Sequence, residues 1–337
     1  MSAPPAAGRA RPAPRRKRRL RSALVRATAV ALAVALVSSC AVRTTSVLRD
    51  PGTVRIALNG WVGYEASAAV LQTLLEDELG YQVQLVRVDE QPSWQAMDQG
   101  EVDMVVENWG HEDLMELYGP EGNGTVVDGG STGNDGTLGW YVPRYLVEDY
   151  PGIDTVEGVK EHAGIFATPE TGGETGQFLA GDPAFVTQDQ GMINHFGLDL
   201  EVVYAGSEAA QITEVRQRYA AEEPVLFYFY EPQWLFEELD LVHVEFPEYT
   251  DGCDADLDDV ACDYPAYDLN KIFRTGFAEE GGPAYELLKN WQWSNADQNA
   301  VAKMIADQGM DPQDAAAAWV EANPDAWRPW LPASVDR

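Results

Sequence analysis

Between Val54 and Val106 the chain changes its apolar period four times. Val54–Leu58 is a strand-like run that stops at Asn59-Gly60. Glu65–Leu79 then places Ala69, Leu71, Leu74, Leu75 and Leu79 at helical spacing, closed by Gly80 as a C-cap. Gln82–Val88 alternates polar and apolar, Pro92–Met97 reads as a short helix ending at Gly100, and Val102–Val106 is again a strand. Strands that alternate with helices in this way are joined by crossovers, and crossovers belong to parallel pairing. The order β-α-β-α-β therefore predicts a parallel sheet with helices on its faces.

The pattern resumes further along. Gly119–Gly136, rich in Gly, Asn and Ser, reads as a loop before a strand over Leu138–Val142. A second α/β stretch follows, with helices over Thr155–His162, Phe185–Phe196 and Ser207–Ala221 and strands over Gly164–Ala167, Glu201–Tyr204 and Val225–Tyr230. Leu269–Phe277 reads as a strand, followed by helices Ala284–Trp291, Asn295–Gln308 and Pro312–Ala322. No repeat of 20–50 residues is visible. Two α/β units with a helical return predict two lobes joined by crossover strands around a cleft. Residues 53–142 and 243–333 are assigned to one lobe, 143–242 to the other.

The first 40 residues stand apart. They hold nine of the chain's 23 basic side chains and no acid, leaving 14 basic against 55 acidic residues, a net charge of −41. A surface that negative repels phosphate backbones, which excludes nucleic-acid binding. Ala27–Val37 is apolar apart from Thr28, but eleven residues are too few to cross a bilayer, which needs roughly 20. A basic stretch, a short apolar stretch and small residues describe an export signal over 1–39. Its end, Val37-Ser38-Ser39-Cys40, resembles the lipobox of bacterial lipoproteins, which implies lipidation of Cys40, a tether over 40–52 and a place outside the cytoplasmic membrane. Export favours oxidation, and Cys253 and Cys262 are the pair that remains, so a disulfide closing that short acidic loop is expected. The Asp254/Asp256/Asp258 alternation resembles the start of a calcium loop, but Asp259 and Pro265 replace the required Gly and Glu. No metal site is expected.

Signatures of catalysis are absent from the sequence. His111-Glu112 is followed by Met115 where a second zinc-binding His belongs, and no G-x-S-x-G elbow occurs. Thr171-Gly172-Gly173-Glu174-Thr175-Gly176 lacks the Lys that meets phosphate. With 55 acids, carboxylate pairs carry no meaning as a glycosidase dyad. The chain is not expected to be an enzyme or to hold a cofactor.

Aromatic residues, by contrast, fall at strand ends. Trp61 follows the first strand, Trp109 the third, Trp140-Tyr141 lies in the strand after the Gly-rich segment, and Tyr228-Phe229-Tyr230-Glu231-Pro232-Gln233-Trp234 closes the strand from Val225. Ligands of open α/β sheets bind beyond the carboxyl ends of strands. Rings converging there suit a quaternary ammonium, which donates no hydrogen bond and gains ~2 kcal/mol or more from a desolvated π-face.

These patches, with Leu79-Gly80-Tyr81-Gln82-Val83, Gly100-Glu101-Val102-Asp103, Asn108-Trp109 and Trp327-Arg328-Pro329-Trp330, resemble substrate-binding proteins of ABC importers for glycine betaine, proline betaine and choline. The resemblance covers about residues 53–332. It implies a periplasmic-binding-protein-like α/β fold that closes on ligand as a monomer and docks on ABC permease subunits, held to the membrane only by its lipid. It implies that Trp61, Trp109 and Tyr230 cage the methylammonium head, with Trp140 and Tyr141 as further candidates. Tyr230 stands where the family usually has Trp. In betaine binders a backbone loop holds the carboxylate; Gly172, Gly173 and Thr175 are the candidates for such a nest. Glu170 and Glu174 in that loop, and Glu107 and Glu231 beside cage positions, fit a purely cationic ligand such as choline slightly better. Another small cationic solute, a sugar, or a secreted enzyme of unrecognised type remain the alternatives.

Overall fold

The structure, a computed structural model, describes residues 52–185 and 187–334. The expected signal peptide, Cys40 and nearly all of the tether lie outside the described residues. Strands β1 (Thr53–Leu58), β2 (Gln82–Arg87) and β3 (Met104–Asn108) are parallel, with helix α1 (Val62–Asp77) between β1 and β2 and α2 (Glu90–Asp98) between β2 and β3. The β-α-β-α-β reading holds, with boundaries shifted by a few residues. Helix α1 begins three residues earlier than its apolar period suggests, because Val62 and Tyr64 are buried in its first turn. Small residues such as Ala66, Ser67, Ala68 and Ala69 let the sheet and later helices close on several sides of it, as in a fully buried helix.

A short helix, α3 (Glu112–Tyr118), leads into β4, which spans Val126–Pro143 and corrects the expected loop over Gly119–Gly136. Through Val126–Gly136 it pairs antiparallel with β9 (Tyr267–Arg274), and through Thr137–Pro143 with β7 (Phe227–Glu231) and β8 (Leu241–His243). Its glycines are strand residues here. A Cβ on Gly129 would strike the Phe273 ring, and one on Gly136 would lie 2.8 Å from Trp109 and 2.9 Å from Leu269. Glycine is needed for close approach of the neighbouring strand, and register shifts at Asp128/Ser131 and Ser131/Asp135 absorb the strain.

Beyond β4 come α4 (Arg144–Asp149), α5 (Val156–His162), β5 (Gly176–Ala180), α6 (Asp189–Phe196), β6 (Leu200–Tyr204) and α7 (Glu208–Ala220). Strand β5 is parallel to both β6 and β7. The expected strand Gly164–Ala167 is a 3-10 turn over Ala163–Phe166 that buries Phe166, with only an isolated bridge from Ala167 to Gly176. The full order is β2-β1-β3-β9-β4-β7-β5-β6, with β8 beside β4. Two mixed sheets share β4, and the fold is the two-lobed α/β type.

The expected strand over Leu269–Phe277 ends at Arg274 and gives way to α8 (Thr275–Glu280). Helices α9 (Pro283–Asn290), α10 (Asn295–Ala306), α11 (Pro312–Ala322) and α12 (Pro324–Trp327) follow, and α10 and α11 pack on α1. Trp330 stacks on Trp319 at 6.1 Å and 14°, and Trp319 meets Trp293 edge-on at 5.5 Å. The C-terminal tryptophans are packing residues. Cys253 and Cys262 are bridged, with Cα atoms 5.9 Å apart. Among the described residues no helix is long and apolar enough to cross a membrane.

Candidate functional site

Past the carboxyl ends of β1, β3 and β7 lies a cavity of about 1030 Å³ lined by Trp61, Trp109 and Tyr230 together. Trp61 sits at the N-cap position of α1, one turn after β1 ends. Its indole N–H donates to Glu107 Oε2 at 2.9 Å, and its ring meets Tyr64 and Phe185 edge-on at 5.1 and 5.9 Å. Glu107 is buried in β3 and also accepts from Ser67 Oγ at 3.0 Å and from Gln298 Nε2. Burial raises its pKa, opposed by these donors.

Trp109 follows β3 directly. Asn108 steadies that exit by donating to Asn270 Oδ1 of β9 at 2.9 Å. The Trp109 ring stands edge-on to Tyr230 at 5.9 Å and to Tyr267 at 5.7 Å. Tyr230 is the penultimate residue of β7, and its hydroxyl donates to Glu208, whose pKa burial pushes up to about 7. Edge-to-face contacts fix the orientations of these rings, and ring faces attract cations.

Other rings complete the lining: Phe185, Tyr228, Tyr249, Tyr264 and Tyr267. Tyr249 and Tyr264 flank the acidic segment that the disulfide closes, and Asp254 and Leu257 within it also line the space, so this segment is one wall of the cavity. Gln188, also in the lining, ties the wall down by donating to Asp254 Oδ2 at 3.1 Å. The acidic residues Glu90, Glu112, Asp113, Asp251, Asp254 and Asp268 are among the lining residues, and neither Lys nor Arg is. His111 Nε2 lies 3.0 Å from Glu90 Oε1.

Three other expected positions fall elsewhere. Gly172, Gly173 and Thr175 lie on an exposed turn before β5, with positive φ at both glycines, and do not line the cavity. The physical reason is direction: β5 is parallel to β6, so the turn sits at its amino end, while Phe185, Thr187 and Gln188 beyond its carboxyl end reach the cavity. Because β5 was not legible in the sequence, the nest was expected at the wrong end of a strand.

Trp140 and Tyr141 also stay off the cavity. As neighbours in β4 they face opposite sides of the sheet. Tyr141 packs on Phe236 and His243. Trp140 packs on Phe178 and Phe246, and its N–H donates to Asp189 Oδ1 at 2.7 Å. Long β4 runs between β9 and β7 and buries both side chains in the core.

Asp189 is itself buried and also accepts from the Tyr264 hydroxyl at 2.9 Å; its second oxygen finds no hydrogen-bond partner. Burial raises its pKa to about 6. A carboxyl that holds its proton more tightly folded than unfolded contributes stability that is complete below the unfolded pKa near 4 and is lost as pH rises through about 6. Glu107 acts in the same direction, as does relief of the acidic self-repulsion. The unfolding midpoint is expected to be higher at pH 5 than at pH 7.5 by about 4 °C, and Asp189→Asn should reduce the slope. A midpoint that falls on acidification would contradict this account.

Residues 52–322 match the family described as the substrate binding domain of ABC-type glycine betaine transport system. The chain belongs to this family. A glycine betaine/carnitine transport binding protein of Listeria monocytogenes serotype 1/2a (strain 10403S), GbuC, is 27% identical over 136 residues, which is 40% of this chain and 41% of that relative. The trimethylamine N-oxide-binding protein of Pelagibacter ubique (strain HTCC1062) is 24% identical over 311 residues, 89% of this chain and 96% of that one. Among solved structures, an ABC-transporter choline binding protein in complex with choline superposes with a TM-score of 0.64 at 21% identity, covering 82% of this chain and 91% of that one.

The family is one of solute-binding proteins of transporters. The aromatic residues that point this way were legible in the sequence as strand-end positions. Phe185, Tyr249, Tyr264 and Tyr267 were not, because nothing local marks the loops that fold over the cavity.

Proposed function

We propose that this chain is a solute-binding lipoprotein of an ABC importer that captures a quaternary-ammonium cation and passes it to the permease subunits. The observation that carries this reading is the convergence of Trp61, Trp109 and Tyr230 on one cavity whose lining includes six acidic residues and neither Lys nor Arg. Ring faces supply attraction for a methylated cation without needing a hydrogen bond, at ~2 kcal/mol or more for a desolvated contact. The carboxylates add a field that favours positive charge and opposes a ligand carboxylate. Choline, a cation with one hydroxyl, therefore fits this cavity better than zwitterionic glycine betaine.

Each sheet supplies part of the cage: Trp61 and Trp109 follow strands of the first, and Tyr230 is the penultimate residue of a strand of the second. Lobe closure over the ligand expels water and strengthens the ring contacts. In this reading the first crossing between lobes falls where β4 changes partners, between Gly136 and Thr137, a few residues before the expected boundary at 142/143. Attachment through Cys40 would hold the monomer at the outer face of the cytoplasmic membrane.

Calorimetric titration with choline, glycine betaine, carnitine and L-proline tests the reading. Micromolar choline binding is expected, with glycine betaine weaker by about tenfold or more. Tighter binding of glycine betaine would refute the charge argument, and no binding of any of the four would remove the assignment.

A further inference from the structure

The amino end of α1 has no cap of its own. Trp61 occupies the N-cap position, its indole offers no acceptor oxygen, and no side-chain cap bond forms there, although Ser, Thr, Asp or Asn ordinarily serves. The amide of Val62 is satisfied from 146 residues away, by Glu208 Oε2 at 2.8 Å. Glu208 opens α7 beyond β6 of the second sheet, whereas α1 follows β1 of the first. Its other oxygen accepts from the Tyr230 hydroxyl and, at 2.6 Å, from Gln233 Nε2. One buried carboxylate thus holds both the helix end that presents Trp61 and the ring of Tyr230.

We propose that Glu208 is a positioning residue that latches the cleft, bonding across the two sheets when the lobes close and setting Trp61 and Tyr230 at their spacing in the cage. This rests on the reading of the cavity as a methylammonium site. The amides at a helix N-terminus carry partial positive charge, so a carboxylate is a stronger partner than a neutral cap. The ionisable neighbours that act on Glu208 are Tyr230 and Glu65, and no Lys or Arg among the described residues pairs with it. Burying this charge makes closure on an empty cavity costly. A cation on the Tyr230 face offsets that cost, which makes closure conditional on ligand.

Stopped-flow tryptophan fluorescence with choline and with glycine betaine, on the wild type, Glu208→Gln and Val62→Pro, tests the latch. Val62 is the first helical residue, where proline suits the backbone and deletes the backbone N–H that Glu208 accepts across the sheets. Both variants are expected to release ligand about tenfold faster or more, with association changed by less than about twofold. Release is compared well below each variant's ligand-free unfolding midpoint, which both substitutions are expected to lower, because Tyr230 and Gln233 bond Glu208 within its own sheet and Val62 is buried. Wild-type release rates in both variants, with or without a lowered midpoint, would overturn the latch alone. A wild type that binds neither ligand would overturn the reading of the cavity, and the latch with it.

Discussion

Replacing Trp109 with alanine is expected to weaken binding of a methylammonium ligand by about a hundredfold or more. The ring's face supplies ~2 kcal/mol of cation–π attraction, and its contact with methyl groups adds about 1 kcal/mol of apolar burial. Together these correspond to two decades in affinity. Tyr230 and Tyr267 both lean edge-on against this ring, so removing it also frees their orientations. The fold should survive, since Trp109 is only partly buried and packs against the glycine surface of Gly136. Trp140→Phe is the informative contrast: it removes a buried hydrogen bond to Asp189 and should lower stability, yet leave affinity near wild type. Titration of both variants decides; equal losses would mean that the cavity rings act through the core rather than on the ligand.

Asp103→Asn is expected to have the largest effect on stability, about 3 kcal/mol. Asp103 is 2% exposed. Its carboxylate accepts from Arg55 at 2.8 and 3.0 Å and from Arg274 at 2.7 and 3.0 Å, and it also takes the Arg55 backbone N–H at 3.0 Å. These partners lie on β1 and β9, either side of β3, so one anion joins three strands. Asparagine leaves two guanidinium groups facing each other with no charge between them. Because both arginines are partly exposed, the cost lies toward the lower end of that for a fully buried group. Asp103 precedes β3 while Trp109 follows it, so affinity measured well below the melting range should be unaffected. Urea unfolding would show the loss as a lower midpoint; a change under about 0.5 kcal/mol would contradict the account.

Several particular residues show how legibility varied. The first five elements could be read because their signals are local: a β-branched run, a helical spacing of leucines, a glycine stop. Strand β4 was hidden because its glycines look like loop punctuation until Phe273, Leu269 and Trp109 are seen to occupy the space a Cβ would need. Strand β5 was hidden behind the Gly-rich turn before it, and that omission misplaced the expected anion nest. Of the ten tryptophans, Trp61, Trp109 and Trp140 were all expected at the cage from the sequence. Only Trp61 and Trp109 among them line the cavity, while Trp293, Trp319 and Trp330 hold the C-terminal helices together.

From the order of residues alone came the alternation of strands and helices, the acidity that bars nucleic acid and favours a cation, and the aromatic residues waiting at strand ends. Each of these depends on neighbours within a few positions, where period and turn chemistry act. Folding in three dimensions chose which of those rings meet, brought the disulfide-closed segment round as a wall, and set two carboxylates behind the cage. Glu107 reaches Trp61 across 46 positions and Glu208 reaches Val62 across 146. Contacts of that separation are created by strand order, and no local period in the chain encodes them.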